Sequence, residues 1–232
     1  MGFIMKYAVL DWDNTIRSGY TMFSLIDYLC KSSELPQSVQ ENVGQWTLKY
    51  RSKQITHDEY AKYACTEFAQ NIRGYSTKHF ADCIQQYMLL DRDSLFPFSV
   101  ELFKFLHDNH IAPIIISGAP VSVLENYREE FYIKDIYGFD LHHTDGLFTG
   151  NVKSNYGFHK EHIVSELISI YGEPPYMGFG DSASDYPLLQ QSTYGFQVCK
   201  SATNVLSESF TKIPSNTSNS NLISLLSKIA SI

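Results

Sequence analysis

Three short polar clusters each close an apolar run, and their residue types could do chemistry. Asp11-Trp12-Asp13-Asn14-Thr15 ends the run at 6–11, Ser117-Gly118 ends 111–116, and Gly180-Asp181-Ser182-Ala183-Ser184-Asp185 ends 176–179. Asp11 and Asp13 stand two apart where a strand gives way to a loop, so both carboxylates can lean over one crevice. With Asp181 they form an all-oxygen donor set of the kind Mg²⁺ takes, beside waters and a phosphate oxygen. The plain alternative is that Asp11 and Asp13 open a turn and Asp181 caps a helix. At roughly one acid in twenty residues, a DxDxT pattern arises by chance in only a few per cent of chains this long. Ser117-Gly118 permits close backbone approach, and a helix opening at Pro120 would turn N–H groups toward an anion. A serine N-cap beside a permissive glycine is its plain alternative. Lys160 begins a helical pattern, where lysine is ordinarily a solvated charge.

The elements that must position these clusters fall into two textures. After the strand at 6–11, helical patterns occupy 21–30, 37–52, 57–70 and 77–90, punctuated by Pro36, Thr56-His57-Asp58 and Gly74-Tyr75-Ser76. The aromatics of that block (Phe23, Tyr28, Trp46, Tyr50, Tyr60, Tyr63, Phe68, Phe80, Tyr87) read mostly as the core of a helical bundle. Beyond Pro97, helix and strand alternate. Helices are predicted at 99–107, 121–132, 158–171, 186–191 and 222–229. Strands are predicted at 111–116, 136–139, 176–179 and 195–198, with a hairpin over 143–152. Strands separated by helices imply parallel βαβ units. The polar run 214–221 reads as a surface loop before a docking helix. In an open α/β sheet, ligands bind at the carboxyl ends of strands near the point where strand order reverses, and all three clusters occupy such ends. The predicted class is therefore α/β, with a parallel Rossmann-like sheet and an all-helical block set into it.

The 232 residues are 44% hydrophobic, enough for one sizeable domain or a domain carrying an insertion. Lys and Arg total 18 against 25 Asp and Glu, a net charge of −7 without a dense basic run, which argues against nucleic acid as a partner. No apolar stretch approaches the roughly 20 residues of a spanning helix, so no membrane partner is expected. The N-terminal apolar run passes straight into acids, unlike a secretory signal, and Lys6 stands where a myristoylation signal wants Ser or Thr. Cys30, Cys65, Cys83 and Cys199 are scattered without a CxxC pair, which suits a reduced, cytoplasmic protein. His142-His143 is the only adjacent histidine pair, and no HxxxH or His/Cys spacing is read as a zinc site.

Taken in order and spacing, DWDNT (11–15), IIISG (114–118), the lysine of YGFHK (Lys160) and GDSASD (180–185) resemble the haloacid dehalogenase superfamily, in the branch that includes phosphoserine phosphatases. The resemblance spans nearly the whole chain. It implies a core domain at 1–16 and 96–232, with a helical cap at 17–95. It further implies Mg²⁺-dependent hydrolysis of a small phosphorylated metabolite by a monomer or homodimer. Asp11 would be the nucleophile and Asp13 the general acid and base. Mg²⁺ would be held by the side chains of Asp11 and Asp181 and the backbone carbonyl of Asp13. Asn14, Ser117, Gly118 and Lys160 would bind the phosphoryl group, with Thr15 and Asp185 supporting from behind. Lys153 competes with Lys160 for the role of the lysine. An acid at Asp13 favours phosphatase or phosphotransferase chemistry over dehalogenation, and a non-catalytic regulator that binds a phosphorylated ligand is a third reading. Phosphoserine-specific members carry a Glu shortly after the first motif, whereas this chain has Tyr20 there and no acid from Ile16 to Tyr20. Arg17, Tyr20 and Phe23 are therefore read as lining the substrate crevice, for a phosphomonoester with an apolar or anionic leaving group. Arg17 reads equally well as an exposed surface charge.

Overall fold

The structure, a computed structural model, describes residues 5–200 and 205–230. β1 (Lys6–Leu10) is buried on both faces, and its alternation feeds two cores. Tyr7 and Val9 join Ile114, Ile116, Val164 and Leu188 on one side, while Ala8 and Leu10 join a larger cluster on the other.

Four helices follow: α1 (Thr21–Lys31), α2 (Gln37–Arg51), α3 (His57–Asn71) and α4 (Thr77–Asp91). Each lies within a residue of the stretch expected from periodicity. α1 buries Met22, Leu25, Ile26 and Leu29, the spacing of one helical face. α3 starts at a capping box in which Thr56 and Glu59 satisfy each other's backbone N–H, and Ser76 caps α4 through the His79 N–H. Tyr60, Phe68, Phe80 and Tyr87 are buried as the bundle reading requires, whereas Tyr50 is exposed.

The remainder alternates. α5 (Ser99–Asp108) leads to β2 (Ile111–Pro120), α6 (Val121–Leu124), β3 (Asp135–Thr144) and β4 (Leu147–Asn155). Then come α7 (Lys160–Tyr171), β5 (Met177–Gly180), α8 (Tyr186–Gln190), β6 (Tyr194–Cys199), β7 (Thr211–Pro214) and α9 (Asn219–Ala230). Among the described residues the seven strands form one sheet in the order β4-β3-β2-β1-β5-β6-β7, parallel except for the β3–β4 pair. Successive strands run outward from β1 on one side and then on the other, so strand order reverses at β1. Among the described residues no helix is long and apolar enough to cross a membrane.

Four expectations need correction. β2 does not stop at Ile116; it runs on through Ser117-Gly118 to Pro120, which pairs with Phe139 after a register shift. The helix expected over 121–132 shrinks to α6 plus a 3₁₀ turn at Glu125–Tyr127. Aromatic packing accounts for the break: Tyr127 and Phe131 turn inward against Trp12, with ring centroids 4.9 and 6.2 Å away. The weak strand at 136–139 is a ten-residue arm of the expected hairpin, which reverses at Asp145-Gly146, both at positive φ (52° and 77°). β7 escaped periodicity, and α9 begins inside the polar run assigned to a loop.

The helical block is fastened to that hairpin. Gly74 and Thr77 donate backbone N–H groups to Phe148 and Gly146 carbonyls (both 2.8 Å), and Phe148 donates back to Tyr75 (3.0 Å). Phe80 meets Phe148 edge-on at 5.2 Å, and Phe68 lies 6.3 Å from Phe139.

Candidate active site

Asp11 sits one residue past β1, held by its backbone N–H on the Phe179 carbonyl of β5 (3.0 Å). Its side chain is buried. Lys160 Nζ donates to Asp11 Oδ1 at 2.6 Å and to Asp185 Oδ1 at 2.6 Å, while Thr15 Oγ1 reaches Asp11 Oδ2 at 3.4 Å. Lys160, the first residue of α7, is only 3% exposed, so this triad is an ion cluster with little solvent screening. Burial alone would lower the lysine pKa, but Asp11 and Asp185 more than offset it and the net direction is upward. Lys153 is elsewhere, exposed on β4 and paired with Asp140 at 2.7 Å.

The loop after β5 folds back so that Asp185 Oδ2 accepts from the N–H groups of Asp181 (3.1 Å) and Ser182 (3.0 Å) and from the Ser182 hydroxyl (3.0 Å). Gly180 permits this fold, because a Cβ there would lie 2.3 Å from that of Asp185. Oxygens of Asp11, Asp181 and Asp185 then lie within 4.8 Å of one another. Three acids here share one buried lysine. Burial raises the Asp11 carboxyl despite Lys160, and it pushes Asp181 up to about 8, helped by Asp11 and Asp185 and opposed by Lys160 and Lys200.

Asp13 is held by the first residue of the helical block's α1. Its Oδ1 accepts the Thr21 N–H (3.0 Å) and hydroxyl (2.5 Å), so Asp13 supplies the N-terminal cap that α1 lacks locally. Burial pushes its carboxyl up to about 7, against the pull of the Thr21 hydroxyl and Arg17. Such a carboxyl can both give and take a proton near neutral pH.

Arg17 is no surface charge. It is 2% exposed, with Nη1 3.8 Å from Asp13 Oδ1 and Nε 3.3 Å from Asp91 Oδ1. Asp91 in turn accepts from the Tyr87 and Tyr127 hydroxyls, each at 2.8 Å. Tyr20, the N-cap residue of α1, is exposed and lies edge-on to half-buried Phe23 at 5.8 Å.

Asn14 adopts the left-handed backbone (φ 62°) and donates its N–H to the Arg17 carbonyl at 2.7 Å, so that N–H is committed inside its own turn. Its Oδ1 accepts from Gly19 N–H and from Lys200 Nζ. Ser117 is buried, its Oγ accepting from the Ala119 N–H at 3.2 Å. Gly118 faces Gly157 so closely that a Cβ on Gly157 would lie 2.7 Å from the Gly118 Cα. The short α6 makes a poor anion-directing helix end, so any such contact here belongs to β2 itself.

Sequence reasoning missed Thr21, Lys200 and Asp91. Lys200 follows β6 directly, a strand-end position that could have flagged it. Nothing local marks Asp91, whose role comes from a distant contact. His79 and Cys83, a spacing not read as a zinc site from sequence, stand one turn apart on α4 with Sγ 3.7 Å from Nε2.

Comparison with known proteins agrees with this architecture. Residues 8–190 match the family model of the haloacid dehalogenase-like hydrolases, and the chain belongs to that family. A protein of unknown function from Bordetella pertussis Tohama I superposes with a TM-score of 0.76 at 16% identity, covering 90% of this chain and 98% of that one. A phosphoserine phosphohydrolase-like protein from Francisella tularensis gives 0.68 at 15%, covering 96% and 100%. A probable phosphoserine phosphatase from Vibrio cholerae gives 0.70 at 17%, covering 98% of this chain and 67% of that one. No curated protein matches the chain by sequence.

Proposed function

We propose that this chain is a Mg²⁺-dependent phosphatase that hydrolyses a small phosphomonoester in the cytoplasm through an aspartyl-phosphate on Asp11, acting as a monomer or homodimer. The observation that carries the reading is the meeting of Asp11, Asp181, Asp185 and Lys160, drawn from three distant segments, at the carboxyl ends of β1 and β5. The donor chemistry fits the cation: hard carboxylate oxygens in one cluster, with the Asp11 and Asp181 carboxyls raised chiefly by burial and further by neighbouring acids. Asp11 and Asp181 side chains and the Asp13 carbonyl would hold Mg²⁺, which when bound supplies charge to offset repulsion between a carboxylate and a phosphate dianion.

Asp11, fixed by Lys160 and Thr15, forms a bond to phosphorus as the bond to the leaving oxygen breaks. Asp13, held by Thr21, gives its proton to that oxygen and the alcohol departs. Asp13 then takes a proton from water, whose oxygen attacks phosphorus and frees both phosphate and the Asp11 carboxylate. Ser117, Gly118 and Lys160 bind the phosphoryl oxygens, with Asn14 contributing through its side-chain setting of the loop. Asp185 holds Lys160. Residues 17–95 form a cap over a core made of 1–16 and 96–232. Tyr20 and Phe23 face the leaving group, and Arg17 is already engaged by Asp91. This supports an apolar leaving group over an anionic one, and no group here calls for a substrate ammonium.

The test is phosphate release from a panel of phosphomonoesters with and without Mg²⁺, run beside Asp11→Asn. We expect Mg²⁺-dependent turnover that the variant lacks while staying folded. Full activity in Asp11→Asn would remove Asp11 as nucleophile, and phosphoserine as the best substrate by a wide margin would overturn the leaving-group assignment.

A further inference from the structure

A second, chemically different ligand set lies in the helical block. His79 and Cys83 occupy successive turns of α4, and Glu34 reaches them from the turn that ends α1. His79 Nε2 lies 2.7 Å from Glu34 Oε2 and 3.7 Å from Cys83 Sγ, and the three atoms fall within 4.8 Å of one another. A tetrahedral zinc ion with bonds of about 2.0–2.3 Å separates its ligand atoms by roughly 3.3–3.7 Å, so the His–Cys distance already fits, the His–Glu contact must open by about half an ångström, and the Glu–Cys pair, within 4.8 Å, must settle into the same range.

The set is also held in place. Glu34 follows Ser33, which is in the left-handed region (φ 63°), and its N–H is fixed on the Leu29 carbonyl at 2.8 Å. Its own carbonyl accepts the Tyr75 hydroxyl, and the His79 N–H is capped by Ser76 at 2.9 Å. Cys83 is buried, at 9% exposure, while His79 opens to solvent and leaves an entry path. Ligands on rigid elements lose little freedom when a cation arrives.

We propose that Glu34, His79 and Cys83 form a binding site for a zinc-type divalent cation that joins the end of α1 to α4. A thiolate, a carboxylate and a neutral imidazole carry two negative charges between them, which balances a dication. The mixed sulfur, nitrogen and oxygen set selects borderline metals over Mg²⁺, which the all-oxygen cluster at β1 suits instead. On binding, the metal–sulfur bond replaces the Cys83 S–H bond and the proton goes to solvent.

The experiment titrates Co²⁺ into metal-free protein with Mg²⁺ in excess, reading the near-ultraviolet sulfur-to-cobalt charge-transfer band. We expect that band in the wild type and equally in Asp11→Asn, its displacement by Zn²⁺, and a rise in Tm with Zn²⁺. Cys83→Ser should abolish the band, and Glu34→Gln should weaken Co²⁺ binding by about tenfold or more. Absence of the band in the wild type, or its survival in Cys83→Ser, would overturn the site. Should Cys83→Ser fail to fold, Glu34→Gln and His79→Ala decide the matter: unchanged Co²⁺ affinity in both overturns it.

Discussion

Lys160 is the residue on which the acid cluster depends. Its ammonium lies between two carboxylates in a space with almost no solvent, so removing it strands like charges rather than one weak contact. Lys160→Ala should cost about 3–5 kcal/mol in denaturant unfolding of the metal-free protein. Lys153→Ala, which breaks an exposed pair, should stay within about 0.5 kcal/mol. Equal losses in the two variants would contradict the assignment. Cys65 offers a pH-dependent counterpart in the helical block. Burial pushes its thiol up to about 12, with the Asn155 amide at 3.2 Å pulling slightly the other way. Because its folded pKa lies above the unfolded value, its contribution to stability is complete below about pH 8.5 and fades as the pH rises toward 12. An alkylating reagent at pH 8 should leave Cys65 unmodified in the folded protein, and rapid labelling there would refute the burial argument. At this scale Asp11, Asp13, Ser117 and Asp181 were legible as candidates because each stands at or just past the end of an apolar run, Asp185 because it closes the same acidic cluster, and Lys160 only through the family pattern. The burial of Arg17 was not, since its partner Asp91 ends the fourth helix of the block.

At the scale of elements, the loop after β5 depends on the missing side chain of Gly180. Gly180→Ala would drive a methyl group into Asp185, which holds both Lys160 and the loop's own N–H groups. We expect turnover to fall by about tenfold or more, since displacement by an ångström can cost about a hundredfold; unchanged kinetics would show that the loop adapts freely. The four helices of the block were legible to within a residue from local signals, side-chain caps for α3 and α4, an apolar face for α1 and Pro36 ahead of α2. The short α6 and the long hairpin were not. Aromatic packing on Trp12 breaks the first, and the second is set by pairing between β3 and β4 and by docking of the block. Native-state hydrogen exchange should find the Gly74, Thr77 and Phe148 amides opening together with one free energy. Independent exchange of Gly74 and Thr77 would mean that the block moves free of the hairpin.

Across the whole molecule, the chain enters and leaves the helical block side by side. Ser18 donates to the Ser94 carbonyl at 2.7 Å, Phe96 to the Ile16 carbonyl at 3.0 Å, and the Ser99 hydroxyl to the same Ile16 carbonyl. Arg17 and Asp91, one at the entry and one near the exit, form a buried ion pair whose acid also accepts the Tyr127 hydroxyl from beyond β2. The position of the block and the setting of Asp13 are thus mechanically linked through Arg17 and Thr21. This joins the two textures read from the sequence, which periodicity could separate but could not connect. The central claim, that these parts converge to place a phosphoryl group on Asp11, is tested most directly by acid-quenching the protein during Mg²⁺-supported turnover and weighing its peptides. The peptide containing Asp11 should carry one phosphoryl group, and the same peptide from Asp11→Asn should carry none. Hydrolysis without that adduct, or with the phosphoryl group on another residue, would contradict the account.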